Sequence, residues 1–257
     1  MCTLIVGRGV LAPGTVVLGA NRDEDPDRPS DPPDVLSVRP RVVGGRDRVA
    51  GGTWLAVRGT RAVLAMLNRR EQEPPPADRR SRGRLLLDVA TVASSGDLAR
   101  DAREAARAAV ERHAYAPFSL VFASPEACWI MSGTPRGAPR TQDIGPGWHV
   151  VTHAELDDPE EPRTTWLLDG LRGWRPRDPA DADRGLIERL SAHGDGEPGG
   201  VPPVCIHDGR MRTVSAALIR LAPGHARYLH AEGRPCVTPP VDFTRLLAPP
   251  AGPTELP

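Results

Sequence analysis

The feature that most constrains this chain is a cysteine directly after the first methionine, at the head of an apolar, β-branched run, Met1-Cys2-Thr3-Leu4-Ile5-Val6. Ala12-Pro13-Gly14 interrupts the pattern, and a second run, Val16-Val17-Leu18-Gly19-Ala20, ends in the polar cluster Asn21-Arg22-Asp23-Glu24. Two apolar runs around a Pro-Gly signal predict a hairpin. Its return strand would carry the polar cluster back beside Cys2. Removal of Met1 would then leave a thiol and a free α-amine on one carbon, a nucleophile with its own base.

Composition narrows the setting. The chain has 257 residues and a formal net charge of +0, and every one of its basic residues apart from histidine is an arginine. A single domain of this length buries roughly three quarters of its unfolded surface, enough for a sizeable core. One domain over residues 1–247 is expected, followed by a proline-rich tail, 248–257, expected to be disordered. Scattered arginines, balanced acids and few aromatics argue against a nucleic-acid surface. No apolar run approaches the ~18 residues of a membrane span, and no cleaved leader is expected, since the N-terminus shows no charged-then-apolar pattern. The other cysteines, Cys128, Cys205 and Cys236, never form a Cys-x-x-Cys pair, so their spacing predicts neither a zinc knuckle nor a disulfide framework. No metal site is expected, and a reducing cytoplasm is the simplest location.

Further along, Asp25-Pro26-Asp27-Arg28-Pro29-Ser30-Asp31-Pro32-Pro33 reads as a loop. Val42-Val43-Gly44-Gly45 reads as a short strand or bend. Gly51 to Val57 and Arg61 to Asn68 form a second hairpin around Arg58-Gly59-Thr60, with Gly51-Gly52 letting another backbone pass closely and Trp54 filling the interior. Arg69 to Arg80 has the composition of a flap. From Arg84 to Ala93 and from Asp97 to Arg112 the period lengthens to that of two helices, the second with Asp97 placed as its N-cap. Phe118–Ala123, Cys128–Met131 and His149–Thr152 read as strands, Arg163–Trp174 and Ala182–Ala192 as helices, and Met211–Leu221 with Ala226–Ala231 as a late hairpin around Pro223-Gly224. Strands, two helices, strands, two helices and strands describe a mixed α+β order without βαβ alternation.

Amide hydrolysis asks for more than a thiol. At neutral pH a thiol of ordinary pKa, about 8.5, is under about a tenth ionised, and an α-amine of pKa about 8 is mostly protonated. A carboxylate must orient the amine and donors must face the developing oxyanion. Asp23 is placed for the first task, and Asn68, ending the second hairpin, for the second together with a backbone N–H.

These motifs in order, Met-Cys, Gly19-Ala20-Asn21-Arg22-Asp23-Glu24, Arg28-Pro29, Gly51-Gly52-Thr53-Trp54-Leu55 and Leu67-Asn68, resemble the NRDE family, whose animal members are called transport and Golgi organization protein 2. That family is similar to the N-terminal nucleophile hydrolases, above all the choloylglycine hydrolase and penicillin V acylase group. The resemblance implies an αββα four-layer sandwich with the nucleophile heading a strand of the central sheets. Carried over, Cys2 matches the nucleophile, Asp23 the aspartate near the amine, Asn68 the oxyanion asparagine, and Arg212 a late arginine supporting the cysteine. The region before Arg212 lacks the usual tyrosine and glycine. Thr152-His153-Ala154 stands where such proteins carry Ser-Asn-Ala, so His153 replaces an active-site asparagine and joins Asn21 and Arg22 as a candidate substrate-binding residue.

The resulting expectation is an N-terminal-cysteine amidohydrolase that cleaves a small-molecule amide through a thioester and needs no cofactor. The loops Arg69–Arg80 and His193–Pro203 are expected to shape its pocket. The alternative is a binding or trafficking protein of the same fold that handles haem or lipid, in which Cys2, His153 or His207 would ligate iron. No haem-attachment motif is present, and oligomeric state has no signature in the sequence.

Overall fold

A computed structural model describes residues 2–70, 78–133, 138–197 and 200–248. Most of the expected flap and the tail from 249 onward lie outside the described residues.

The chain alternates apolar side chains with a period of two, and that alternation dictates the layers. The hairpin forms as β1 (Thr3–Arg8) and β2 (Val16–Glu24), paired antiparallel with Thr3 opposite Asn21. Leu4, Val6, Val16 and Leu18 join one core cluster, whereas Ile5 and Val17 join another. Successive strand residues point to opposite faces, so both faces of this hairpin must be covered.

The same split recurs in the second hairpin, β5 (Leu55–Arg58) and β6 (Ala62–Asn68). Leu55, Val57, Val63, Ala65 and Leu67 share the core of the first hairpin's Leu4 and Leu18, while Ala56, Leu64 and Met66 pack outward with Leu85, Leu86 and Ala102 of two helices. Those helices are α1 (Arg82–Ala90) and α2 (Leu98–Arg112), the latter capped by the Asp97 side chain accepting from the Arg100 amide.

Two antiparallel sheets therefore stack on a shared core. One has β3 (Ser30–Ser37), β4 (Val42–Asp47), β5, β6, β7 (Phe118–Ala123), β8 (Cys128–Gly133) and β9 (Arg140–Asp143) in sequential order. The other runs β10 (Gly147–Val151), β1, β2, β11 (Arg212–Ala222), β12 (His225–Ala231), β13 (Val241–Asp242). Its outer face is covered by α3 (Pro162–Leu171) and α4 (Pro179–Leu190), through Leu167, Leu171, Leu186 and Leu190. The order of layers is αββα, as expected. Each fully buried Leu, Ile or Val contributes roughly 1.5–3 kcal/mol relative to exposure, and all three clusters contain such residues, the one under α1 and α2 alongside alanines and aromatic rings.

Three strands, β3, β9 and the two-residue β13, were not expected. Asp31-Pro32-Pro33 lies within β3 rather than a loop, because β3 is the edge of its sheet and pairs only with β4. The register jumps between Asp31 and Asp34, so the two prolines fall where no ladder donor is needed. The strand β9 is likewise a half-exposed, polar edge without an apolar signature.

The Gly51-Gly52 reading is borne out. A Cβ on Gly52 would lie 2.3 Å from the Gly83 carbonyl carbon, and the Thr53 amide donates to the Gly83 carbonyl oxygen at 3.1 Å. This contact pins the start of α1 against the entry to β5.

Candidate active site

The alternation that builds the layers also divides the residues around Cys2. Cys2 lies two positions before Leu4 and packs, partly buried, against the core between the sheets. Thr3 points the other way, toward the helices, and is fully buried. On β2, a Cβ on Gly19 would meet Leu186 and Leu190 of α4, so Asn21 and Asp23, two and four residues on, face the helical layer as well. The sulfur and the Asp23 carboxylate thus lie on opposite faces of one ribbon, with the Cys2 backbone between them. The Cys2 Sγ is 3.8 Å from the Asp23 carbonyl oxygen.

Behind that backbone is a buried polar cluster. The Thr213 hydroxyl donates to Asp23 Oδ1 at 2.7 Å. Arg163 donates from Nη1 to the Thr3 hydroxyl at 2.9 Å, and the same nitrogen is 3.7 Å from Asp23 Oδ2. Burial is the dominant influence on Asp23 and raises its carboxyl from 3.8 to about 6, although Thr213 and Arg163 both pull it down. Burial also pushes the Cys2 thiol up, the nearby Asp23 carboxylate adds to that, and Arg22 opposes it. The thiol is therefore held as S–H until a base takes its proton.

The raised Asp23 pKa has a sign in stability. A carboxyl whose folded pKa exceeds its unfolded value keeps its proton longer in the folded state, so unfolding free energy falls as pH climbs from about 4 to about 6. The loss from this group is on the order of 2–3 kcal/mol at most. Urea unfolding at about pH 4 and about pH 7 should show that increment in the wild type and not in Asp23→Asn.

In front of Cys2 opens a cavity of about 370 Å³ lined by Arg22, Trp54 and Asn68 together with Arg28, Arg79, Arg80 and Arg82, and by the carboxylates of Glu24 and Asp47. Asn68, the last residue of β6, thus shares a cavity with Cys2. Arg22 is 6% exposed; it stacks 4.2 Å from the centre of the Trp54 ring, donates to the Ser30 hydroxyl at 3.2 Å and lies 3.8 Å from Glu24. Burial lowers its pKa and Glu24 opposes the shift, but a guanidinium stays charged in such a site. Trp54 serves as packing and as the platform for this arginine.

His153 lies two residues beyond Val151, which pairs with Leu4, and is not among the residues that line the cavity in front of Cys2. It is 5% exposed, and its Nδ1 has no hydrogen-bond partner among the described residues. Burial lowers its pKa and the charge of Arg70 lowers it further, which keeps the imidazole neutral at pH 7.

Two expected site residues are placed elsewhere. The Asn21 amide donates to the carbonyls of Leu190 and Val204 at 2.8 and 3.0 Å, tying β2 to the helical layer instead of facing the cavity in front of Cys2. Arg212 is exposed at the start of β11 and donates from Nε to the Gly209 carbonyl at 3.0 Å. The strand's alternation turns its neighbour Thr213 inward instead. The arginine beside Asp23 is Arg163, which the sequence reading missed. Its signal was positional: Arg163, Leu167 and Leu171 recur every four residues on the buried side of α3, so a charge sits on an apolar stripe. His207, a candidate haem ligand only under the alternative reading, has its Nε2 3.2 Å from the Cys236 sulfur.

The family model described as Transport and Golgi organisation 2 matches residues 1–170, about two thirds of the sequence. The chain belongs to that family. No curated protein matches it in sequence. Solved structures similar to this Transport and Golgi organisation 2 member include the Caenorhabditis elegans ortholog of N-acylethanolamine-hydrolyzing acid amidase, at 15% identity and a TM-score of 0.60, with 87% of this chain and 94% of that one covered. Two variants of the conjugated bile acid hydrolase of Clostridium perfringens are similar at 12% and 11% identity, with TM-scores of 0.54 and 0.52, each covering 96% of this chain and 94% of its own. At these identities the likeness is one of fold. The shared fold is the αββα sandwich described above. Among the described residues no helix is long and apolar enough to cross a membrane.

Proposed function

We propose that this protein is an N-terminal-cysteine amidohydrolase whose substrate is a small amide carrying an acidic group. The observation that carries the reading is the division at Cys2, with the sulfur turned to a cavity shared with Asn68 and a buried Asp23–Thr213–Arg163 cluster turned to the backbone side. The fold shared with an acid amidase and a conjugated bile acid hydrolase supports the same class of chemistry.

In this reading Met1 is removed and the Cys2 α-amine lies within the field of Asp23. The amine takes the thiol proton, the thiolate adds to the amide carbon, and Asn68 with a backbone N–H holds the oxyanion. Collapse breaks the C–N bond as the ammonium returns the proton to the leaving amine, leaving a thioester. Water, deprotonated by the same amine, then adds to the thioester carbon, and the departing thiolate is reprotonated. Asp23 orients the ammonium, and His153, held neutral, is the candidate to hydrogen-bond the substrate from the segment after β10. The acidic group is inferred from the arginines of the cavity wall, of which Arg22 lies near Glu24, Arg28 pairs with Glu24 and Asp47, and Arg80 pairs with Asp88.

The test is a panel of amides with acidic and neutral acyl groups, read by amine release and by acid-quenched mass of the thioester. Turnover confined to acid-bearing amides with a thioester on Cys2 supports the proposal, and no adduct on Cys2 with any member removes it. Asn68→Ala is expected to lower kcat by about 10² to 10³, with little change in thermal stability.

A further inference from the structure

A second cluster of reactive side chains lies away from the Cys2 cavity and has no part in that chemistry. His193 follows α4, Cys205 and His207 sit in the segment leading to β11, and Cys236 lies in the turn after β12. One ligand atom from each lies within 4.8 Å of all the others. We propose that His193, Cys205, His207 and Cys236 bind one zinc ion in a closed two-cysteine, two-histidine site that staples the 193–207 segment to the turn after β12.

The distances are those of ligands around a common centre. With Zn–S near 2.3 Å and Zn–N near 2.0–2.1 Å, a tetrahedron puts two sulfurs about 3.8 Å apart and sulfur and nitrogen about 3.5 Å apart. The Cys205 and Cys236 sulfurs are 3.6 Å apart, and the Cys236 sulfur is 3.2 Å from the His207 Nε2. A disulfide would need the sulfurs at about 2.05 Å, and all four cysteines are free. The donor set is two thiols and two imidazoles with no carboxylate, which suits zinc and not magnesium or calcium. Binding would release the two thiol protons to solvent as the thiolates bond the ion.

The backbone holds these ligands in place on both sides. The amides of Val204 and Cys205 both donate to the Ala192 carbonyl, at 3.1 and 2.8 Å, which brings the residue before His193 against Cys205. Ile206, between the two ligands of its segment, exchanges hydrogen bonds with Thr213: its amide donates to the Thr213 hydroxyl at 2.9 Å and its carbonyl accepts from the Thr213 amide at 2.9 Å. The same Thr213 hydroxyl donates to Asp23, and the Val204 carbonyl accepts from Asn21. An ion here would therefore brace, at one remove, the cluster behind Cys2. Its ligands come from three separated segments, which is why no short cysteine spacing announces them.

Elemental analysis of protein purified without added metal, followed by cobalt(II) titration of chelator-treated protein, tests the assignment. The expected result is about one zinc per chain and, with cobalt, the intense near-ultraviolet thiolate-to-metal band of a tetrahedral site. Cys236→Ser should weaken the band and the binding of zinc, and Cys2→Ala, which removes a thiol outside the cluster, should keep both zinc and band. His193→Ala changes only an exposed side chain, so it should stay folded while binding zinc at least about 100-fold more weakly. A chain that holds no zinc and gives no band would overturn the proposal. So would a band indifferent to Cys236→Ser, iron or copper in place of zinc, or a Cys205–Cys236 disulfide in protein kept reduced.

Discussion

Cys2→Ala is expected to reduce amide turnover by on the order of 10⁴ to 10⁶, the loss seen when a nucleophile acting as part of a unit is removed. Folding should hardly change. Cys2 is partly buried at the edge of the core between the sheets, and trimming one sulfur there costs about 1 kcal/mol. Kinetics and urea unfolding on one preparation separate the two effects. Unchanged turnover would end the catalytic reading even with the fold intact. A fall in turnover matched by a comparable fall in stability would mean that Cys2 is packing rather than chemistry.

Arg163→Met carries the largest expected effect on stability, a loss of about 3–5 kcal/mol, the usual result of taking one partner from a buried pair. The guanidinium is 5% exposed, bonds Thr3 and stands 3.7 Å from a carboxylate whose side chain is fully buried. Methionine keeps much of the volume, so the loss reports the charge. The deficit should be smaller at about pH 5, where Asp23 is largely protonated, than at about pH 8, where it is ionised. Adding Asp23→Asn should recover part of the loss, a coupling that thermodynamic cycles measure directly. Equal deficits at both pH values, with no coupling, would mean that Arg163 acts only through packing and Thr3.

What the sequence disclosed follows from how each signal is written. Both central hairpins and the four helices were legible because their apolar period is long and uninterrupted: Leu4, Val6 and Leu18 on one face against Ile5 and Val17 on the other, or Leu98, Ala102, Ala106 and Ala109 along α2. The strand β3 was not, because Asp31-Pro32-Pro33 carries the chemistry of a loop and only its edge position makes a strand tolerable there. Cys2, Asp23 and Asn68 were legible as a hairpin juxtaposition. The direction each side chain takes across that hairpin was not, and it decides that Asn21 turns to the Leu190 and Val204 carbonyls while Arg22 meets the cavity. Arg163 and Thr213 reach Asp23 from positions 140 and 190 residues further along the chain. A long-range contact of that kind leaves only a local trace, such as a charge on the buried stripe of a helix.

The central claim is that the mature chain begins with a free amine on the carbon that bears the reactive thiol. Limited alkylation followed by intact-mass and peptide mapping tests it most directly. The expected product is a chain lighter by one methionine residue, with Cys2 modified well before Cys128 or Cys236 and the rate falling as the α-amine is blocked. Retention of Met1, or a Cys2 no more reactive than the buried Cys128, would contradict it.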